Sequence, residues 1–371
     1  MLVVLSAGAG AVFIRSHKHP TASRELSVTS TPTPLATPSA FPVPTDARPI
    51  ETTPPRTLSA PRAHASRAAV ATASASATRV PKPAPTASAA APGRVTPDAS
   101  AGSAVGYFAA GGYPILVNQQ HPAVGGSYVF TTWKWDGTHW VKLLEGTGSP
   151  YAAGNMAYDP AVGMTIVMTG STARGWNGSS WIDLARVPGA ITGQPYLAFD
   201  AARNQLVLLD SNPTGAVTWT FDGRSWKQAA SSAAPAQHYG AGFAYDPRIR
   251  AIVLVGGRPS MGSGAFNDTW TWDGTAWQQQ HPAAAPSGGY GTMAFDSATQ
   301  QMVLLEENGT TWTWSGSTWT PLASTPRPSY GSYSGMIDDS VHHDLFLWEG
   351  VGGYESGSQT WTYANGTWTR R

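Results

Sequence analysis

The chain has 371 residues, with 40 Gly, 30 Pro, 16 Trp and no Cys, and a formal net charge of +1. The absence of Cys excludes a disulfide framework, a cysteine zinc site and a thiol nucleophile. Lys and Arg outnumber Asp and Glu by ten to four before residue 105, but are outnumbered 13 to 18 from there on, where their scattered positions argue against nucleic-acid binding.

The first predicted element is an apolar N-terminal segment, residues 1–16. Its uncharged run, Met1–Ile14, would span about 21 Å as a helix, which is less than the ~30 Å hydrocarbon core of a bilayer. No Lys or Arg precedes this run, whereas Arg15 and Lys18 follow it, the reverse of a secretory signal. We therefore predict a truncated transmembrane helix or a signal anchor, although the positive-inside rule taken literally would place the Arg15 side in the cytoplasm.

The second predicted element is a disordered linker, residues 17–104. Ala, Pro, Ser and Thr supply 60 of the 88 residues from 17 to 104, half of all prolines lie there, and Phe41 is the only Phe, Trp or Tyr. Such a segment has too little apolar area to offset its ordering entropy, and its prolines stiffen it toward polyproline II. It reads as a stalk that holds a domain away from a surface, or as an intracellular disordered tail.

From residue 105 to the end, a hairpin motif closed by Trp recurs six times. The fourth copy reads Trp270-Thr-Trp272-Asp273-Gly274-Thr-Ala-Trp277. The closing residues, 41 to 51 positions apart, are Trp140, Trp181, Trp226, Trp277, Trp319 and Trp368. Read as a type I′ turn with two central residues, the motif would place Trp270 opposite Trp277, and in the second copy Arg174 against Trp181.

A second pattern precedes the hairpin in five copies: a short strand ending in Asp, a tight connection and an apolar strand. Phe243-Ala-Tyr-Asp246 followed by Ile252-Val-Leu-Val255 is one example. Four short strands in each unit of 40 to 50 residues are typical of propeller blades. Residues 105–371 are therefore predicted to be an all-β, six-bladed β-propeller of four-stranded antiparallel blades.

The fourth copy resembles a kelch motif, with its diglycine Gly256-Gly257 after the second strand and the spaced aromatic pair Trp270 and Trp277. The resemblance extends over about residues 105–371 and is weaker in the other copies, where other pairs replace the diglycine. It implies a propeller of the kelch or galactose oxidase type, most of which are binding scaffolds. The fold alone does not carry a function.

Enzyme chemistries known on such propellers find little support in the residues. The copper radical site of galactose oxidase needs a Tyr cross-linked to a Cys, which this chain excludes. The sialidase Asp box has a different spacing, since Asp and Gly are adjacent here. The histidines fall at different repeat positions, so we predict no metal and no cofactor. Catalysis stays open, with binding the favoured interpretation.

The candidate ligand site follows from connectivity. In a four-stranded blade, the connections between strands 2 and 3 and between one blade's strand 4 and the next blade's strand 1 emerge on the same face. Several of them are long and rich in Gly, Pro and Ser, and long loops on a rigid scaffold usually carry binding. The candidate residues on this face are Tyr239, Tyr290, Tyr330, Asp210, Glu306, Glu307, Trp348 and Glu349.

Three functions remain open at this stage. The leading hypothesis is an extracytoplasmic binding or scaffold domain, monomeric, tethered to a membrane through the stalk, or secreted if the N-terminal segment is cleaved. The first alternative is a lectin or carbohydrate-active enzyme that uses the same face. The second is the extracytoplasmic sensor half of a longer receptor. The expected partner is a protein or a glycan, with no nucleic acid.

Overall fold

The computed structural model describes residues 97, 103–120, 129–147, 152–230, 233–259, 264–323, 326–328, 334–350 and 358–371. These residues form an all-β, six-bladed propeller, as predicted. The predicted N-terminal segment and nearly all of the predicted linker lie outside the described residues. Within the described ranges there is no helix of the length and apolar character needed to span a bilayer.

Each blade is a sheet of four consecutive antiparallel strands. Blade 1 contains β1 (Ala104–Phe108), β2 (Tyr113–Gln120), β3 (Val129–Trp135) and β4 (Trp140–Thr147); blade 2 contains β5 (Ala152–Asp159), β6 (Met164–Thr169), β7 (Thr172–Trp176) and β8 (Trp181–Arg186); blade 3 contains β9 (Gln194–Asp200), β10 (Gln205–Ser211), β11 (Val217–Phe221) and β12 (Trp226–Gln228). Blade 4 contains β13 (Gly242–Asp246), β14 (Ala251–Val255), β15 (Thr269–Trp272) and β16 (Trp277–Gln280); blade 5 contains β17 (Gly291–Asp296), β18 (Gln301–Glu306), β19 (Thr311–Trp314) and β20 (Trp319–Leu322); blade 6 contains β21 (Gly335–Asp339), β22 (Asp344–Gly350), β23 (Ser358–Ala364) and β24 (Thr367–Arg370).

The first strands of the blades surround the propeller axis. Each of β1, β5, β9, β13, β17 and β21 contacts the first strand of the next blade, and β21 contacts β1. In the described part of the chain, no blade borrows a strand from another. The ring therefore closes through packing between blades 6 and 1.

In the described part of the chain, the core is divided into six apolar clusters, each formed between two neighbouring blades. Between blades 4 and 5, Val253 and Val255 pack with Met293, Leu304 and Trp319. Both faces of each sheet are covered, which explains why strand 2 of each blade is an almost continuous apolar run. Full burial of each such side chain contributes about 1.5–3 kcal/mol, so the contacts between blades hold the ring together.

The hairpin between strands 3 and 4 differs from the predicted register. Trp272, not Trp270, lies opposite Trp277, because the Asp273 carboxylate accepts hydrogen bonds from the backbone N–H groups of Thr275 and Ala276. This Asx turn spans four residues and needs a positive φ only at Gly274, where φ is 96°. The equivalent aromatic pair is present in all six blades, with ring centroids 4.9 to 5.6 Å apart.

The hairpins of blades 2 and 6 also bear on the predicted register. In blade 2 the pair is Trp176 with Trp181, and Arg174 forms an ion pair with Asp183 at 2.6 Å, so the predicted contact of Arg174 with Trp181 was wrong. In blade 6 the turn has two residues, Asn365 and Gly366, with φ of 50° and 81°. The predicted type I′ geometry therefore occurs in that blade, where Ala364 occupies the position of the capping Asp.

The closing Trp of each blade donates a hydrogen bond to the preceding blade. In five blades the indole N–H donates to a buried Thr hydroxyl at 2.8 to 2.9 Å; the pairs are Trp140–Thr360, Trp181–Thr132, Trp277–Thr218, Trp319–Thr269 and Trp368–Thr311. Blade 2 has Ala173 at the Thr position, directly before Arg174, and Trp226 of blade 3 donates instead to the carbonyl of Ala185 at 3.2 Å. A substitution in one blade thus changes a contact of the next.

The connections between strands 1 and 2 share one feature, a buried Asp that caps the turn. The last residue of strand 1 is a buried Asp in five blades: Asp159, Asp200, Asp246, Asp296 and Asp339. Each carboxylate accepts a hydrogen bond from the backbone N–H two residues later, which fixes the start of the turn. In blade 6 this role belongs to Asp339, so the predicted strand end at Asp338 was one residue early.

Candidate functional site

The two ends of the propeller carry different kinds of connection. We call the end with the 1–2 and 3–4 connections the turn end, and the end with the 2–3 and 4–1 connections the loop end. Seven of the eight predicted site residues lie in the described residues at or next to the loop end. Tyr330 lies outside the described residues.

Tyr239, Tyr290 and Glu307 meet at the loop end around Arg258, and we call these four residues the Arg258 cluster. The guanidinium carbon of Arg258 lies 4.7 Å from the centroid of the Tyr290 ring, and Arg258 forms an ion pair with Glu307. The Tyr239 and Tyr290 rings are 6.0 Å apart in an edge-to-face arrangement. The cluster therefore joins loops of blades 3, 4 and 5.

Backbone hydrogen bonds hold these loops together. Tyr239 and Arg258 exchange two of them, with N···O distances of 2.7 and 2.9 Å, and the Glu307 N–H donates to the Tyr290 carbonyl at 2.9 Å. Gly257, with a φ of 87°, donates its N–H to the carbonyl of Gly289 at 2.7 Å. The diglycine thus turns the chain sharply after β14 and delivers Arg258 to the neighbouring blade.

The Arg258 cluster is open to solvent in part. The side chains of Arg258 and Glu307 are 23% and 34% exposed, and both tyrosines are half-buried. The cluster offers aromatic rings, guanidinium donors and carboxylate acceptors within one patch. Such a patch can hold a ligand that has both apolar surface and hydroxyl groups.

The predicted carboxylates Asp210, Glu306 and Glu349 are buried and already accept hydrogen bonds from the protein. Glu306 accepts from the Trp312 indole N–H at 2.7 Å, and Glu349 from that of Trp361 at 2.8 Å. In blade 1 the amide oxygen of Asn118 accepts from Trp133 in the same way at 3.0 Å. Because an uncharged group does the same work there, we assign Glu306 and Glu349 a structural role.

Asp210 and the remaining predicted site residue, Trp348, are also internal. Asp210 accepts the N–H of Gly193 at 2.8 Å, which holds the connection that enters blade 3. Trp348 is 1% exposed and packs in the core between blades 6 and 1. It therefore presents no ring surface to a ligand.

The buried His238 is paired with Asp268 near the Arg258 cluster. Its Nδ1 lies 2.8 Å from the carbonyl oxygen of Ala236, which can only accept, and its Nε2 lies 3.0 Å from the Asp268 carboxylate. Burial alone would raise the pKa of Asp268, but hydrogen bonds from His238 and Trp270 outweigh it and hold the pKa below its ordinary value. Both ring nitrogens are occupied, so His238 is not placed to bind a metal or abstract a proton.

The sequence did not identify Arg258, although a signal for it was present. Arg258 directly follows the single diglycine of the six repeats at this position. A diglycine at the end of strand 2 indicates that the backbone closely approaches a neighbouring segment. The side chain that follows the diglycine is then held next to that segment. Among the described residues, no group of three His, Asp or Glu side chains is arranged to hold a metal ion.

No family model and no curated protein matches the chain. Solved structures share its fold. An α-L-arabinanase of Penicillium chrysogenum in complex with arabinobiose is 10% identical, with a TM-score of 0.51 over 72% of this chain and 93% of that chain. An α-L-arabinofuranosidase of Fusarium graminearum, also with arabinobiose, is 13% identical, with a TM-score of 0.50 over 72% and 92%.

A fucoside-bound lectin of Aleuria aurantia is 14% identical, with a TM-score of 0.48 over 72% of this chain and 93% of that chain. At such identities the likenesses to the arabinanase and the arabinofuranosidase show a shared propeller fold and nothing finer. The resemblance to kelch repeats stays a prediction.

Proposed function

We propose that the propeller is a carbohydrate-binding domain that holds a glycan at the Arg258 cluster. The observation that carries this proposal is the partly exposed pair Tyr239 and Tyr290 beside the ion pair of Arg258 and Glu307. A sugar ring has apolar C–H faces that pack on aromatic rings, and hydroxyl groups that both donate and accept hydrogen bonds. The cluster supplies the matching groups on each side.

The fold adds support of a general kind. Two propellers of the same architecture are described in complex with arabinobiose, so the scaffold is one that accommodates sugars. These two proteins are only 10% and 13% identical to this chain. The positions of their ligands therefore do not indicate where a ligand would bind here. The site is therefore argued from the residues of this chain alone.

We propose binding without hydrolysis. Glycoside hydrolysis uses two carboxyl groups about 5 to 10 Å apart, one on each side of the scissile bond. At the loop end, Glu307 is paired with Arg258, and the neighbouring Glu306 accepts hydrogen bonds at both carboxylate oxygens, from Ser287 and from Trp312. This arrangement suits recognition of hydroxyl groups better than proton transfer.

The linker composition supports a proposal about where binding takes place. A stalk rich in Pro and Ser/Thr, such as residues 17–104, extends and keeps a domain away from its attachment point. We propose that the propeller is displayed outside the cell, where glycans are accessible. Display of a protein-binding scaffold is the second candidate, and the linker composition favours both equally.

The test is glycan-array binding of the full chain, followed by calorimetry on the glycans that bind, with arabinobiose included. We expect Tyr290→Ala and Arg258→Ala to weaken binding at least tenfold. Arg174→Ala is the matched control, because Arg174 is also an ion-paired arginine with a similarly exposed side chain (25%), yet lies on β7. Absence of glycan binding would refute the proposal, and equal losses in Arg174→Ala and Arg258→Ala would refute the site.

A further inference from the structure

A cavity of about 370 Å³ lies on the propeller axis. Its wall comes from the first strands of blades 2 to 6, and Ala201 and Pro247 from the 1–2 connections line it at the turn end. Most lining side chains are Ala, Met, Phe or Tyr; the polar ones besides Tyr245 are Asn155 and Asp338. Asn155 donates one hydrogen bond to the backbone of Leu197 and accepts another from it.

One repeat position, the next-to-last residue of strand 1, contributes to the turn end of this cavity in blades 3 to 6. Five blades place an aromatic ring there and the sixth places a carboxylate: Tyr107, Tyr158, Phe199, Tyr245, Phe295 and Asp338. All six side chains are half-buried. Phe199, Tyr245, Phe295 and Asp338 line the cavity directly.

The negative charge of Asp338 has no structural use that the contacts reveal. Its Oδ1 accepts hydrogen bonds from the N–H and hydroxyl of Ser297 in blade 5, at 3.1 and 2.9 Å. Tyr245 makes the corresponding contact from blade 4 to blade 3, since its hydroxyl accepts the N–H of Ala202. An uncharged acceptor would therefore link the blades equally well.

Among the described residues, Asp338 lacks the cation partner that three of the five strand-ending carboxylates have. Three strand-ending carboxylates pair with their own turns: Asp200 with Arg203, Asp246 with Arg248, and Asp339 with His342. Within the described residues no cation pairs with Asp338. Burial, with the charges of Asp296 and Asp339, raises the pKa of Asp338, so a cation bound beside it would relieve this repulsion.

We propose that the axial cavity binds a small organic cation with an apolar body, such as a quaternary ammonium compound, with Asp338 as its counter-ion. Aromatic faces attract cations of this kind through their quadrupoles, and the attraction strengthens when the cation is desolvated. The Ala and Met side chains offer apolar surface for the methyl groups. Arg248, 5.9 Å from the Phe295 ring, is neutralised by Asp246 and does not oppose the charge.

The test compares choline with its uncharged isostere 3,3-dimethylbutan-1-ol, by calorimetry on the full chain. We expect choline to bind at least tenfold more tightly than the alcohol, and Asp338→Asn to remove that preference while keeping the Ser297 hydrogen bonds. Asp183→Asn, on the exposed edge of blade 2, is the control and should change nothing. Equal affinity for both compounds, or no binding of choline and tetraethylammonium at 10 mM, would overturn the proposal; the 10 mM limit is about −2.7 kcal/mol.

A second measurement avoids reliance on the variant. Because Asp338 must be ionised to act as counter-ion, choline affinity of the unaltered protein should rise with pH until Asp338 is fully ionised. A flat profile would contradict the proposal. The result is independent of glycan binding, since Tyr290→Ala at the loop end should leave choline affinity within twofold.

Discussion

At the turn end the same buried Asp closes strand 1 in five blades, whereas at the loop end the residue that ends or follows strand 2 differs in almost every blade. Glu306 and Glu307 occupy this region in blade 5, and Gly256 and Gly257 occupy it in blade 4. The repeated residues pair with their own turns and hold the scaffold. Departures from the repeat, namely Arg258 at the loop end and Asp338 at the turn end, mark the surfaces that we propose for binding.

The largest expected effect tests the repeated Asp at the turn end. Asp246 is fully buried and accepts hydrogen bonds from the backbone and guanidinium of Arg248. Asp246→Asn should lower the free energy of unfolding by about 2–4 kcal/mol, because it leaves the Arg248 cation without its partner. Urea denaturation measures this loss.

Asp159→Asn is the matched control for that experiment. Asp159 holds the same repeat position, but no cation pairs with it among the described residues, and burial raises its pKa. We expect no loss of stability, or a small gain, at pH 7. Equal destabilisation by both variants would show that the Asx turn, rather than the ion pair, provides the stability of this position.

The second prediction concerns the contacts between blades. Thr311→Val keeps the shape of the side chain but removes the acceptor for the Trp368 indole N–H, and should cost about 1–2 kcal/mol. Thr313→Val on the same strand is the control, since Thr313 is half-buried and lies on the same face of β19, but the single indole N–H of Trp368 donates to Thr311. A loss as large in Thr313→Val would mean that β-strand packing, and not the hydrogen bond, accounts for the effect.

The third prediction is a pH dependence at the turn end of blade 6. Burial, with the neighbouring charge of Asp339, raises the pKa of Asp344 to about 6. A raised pKa favours the protonated form in the folded state, so this contribution to stability is complete below about pH 4 and is lost as the pH rises through about 6.

Asp344→Asn should therefore raise the midpoint of thermal unfolding at pH 7.5 and leave it nearly unchanged at pH 4. The gain should be on the order of 1 kcal/mol, because the side chain is partly exposed and Arg371 lies nearby. A variant that is less stable than the unaltered protein at pH 7.5 would show that the Arg371 contact outweighs the burial of charge.

The smallest effect on stability is expected at the loop end. Glu307→Gln removes a charge from a partly exposed ion pair, and such pairs contribute at most about 1 kcal/mol. We expect a change of less than about 0.5 kcal/mol in urea denaturation, together with a clear loss of glycan affinity. A loss of several kcal/mol would instead place Glu307 with the repeated scaffold residues.

The sequence predicted the architecture because two signals agreed. The spacing of the closing Trp residues set the number of blades, and the Asp-terminated strands set the number of strands in each. It failed on the hairpin register because the Asp273 side chain, which caps the turn in blade 4, enlarges the loop from two residues to four. The hydrogen bonds of the Asp273 side chain determine the length of the loop. The Asp-Gly pair alone was therefore not enough to predict it.

The candidate site was predicted only in part, for a related reason. Connectivity alone predicted that Tyr239, Tyr290 and Glu307 lie at the loop end, and the structure has them there. Glu306 and Glu349 also end strand 2, but the indoles of Trp312 and Trp361 occupy them. Which carboxylates remain accessible depends on side-chain contacts across strands, and those follow from the register that the sequence did not reveal.

The uninterrupted order of strands in each blade has a further consequence. In propellers that exchange a strand between their first and last blades, the two ends of the propeller domain supply strands to the same sheet. Here β24 ends at the loop end, where β1 begins, and Pro97 lies within hydrogen-bonding distance of Ser358 in blade 6, at 2.5 Å. Pro97 and the end of β24 therefore lie in the position of one more 4–1 connection. A circular permutant that links residue 371 to residue 97 and opens the chain at residues 231–232, between blades 3 and 4, should fold to the same ring, since no sheet is cut.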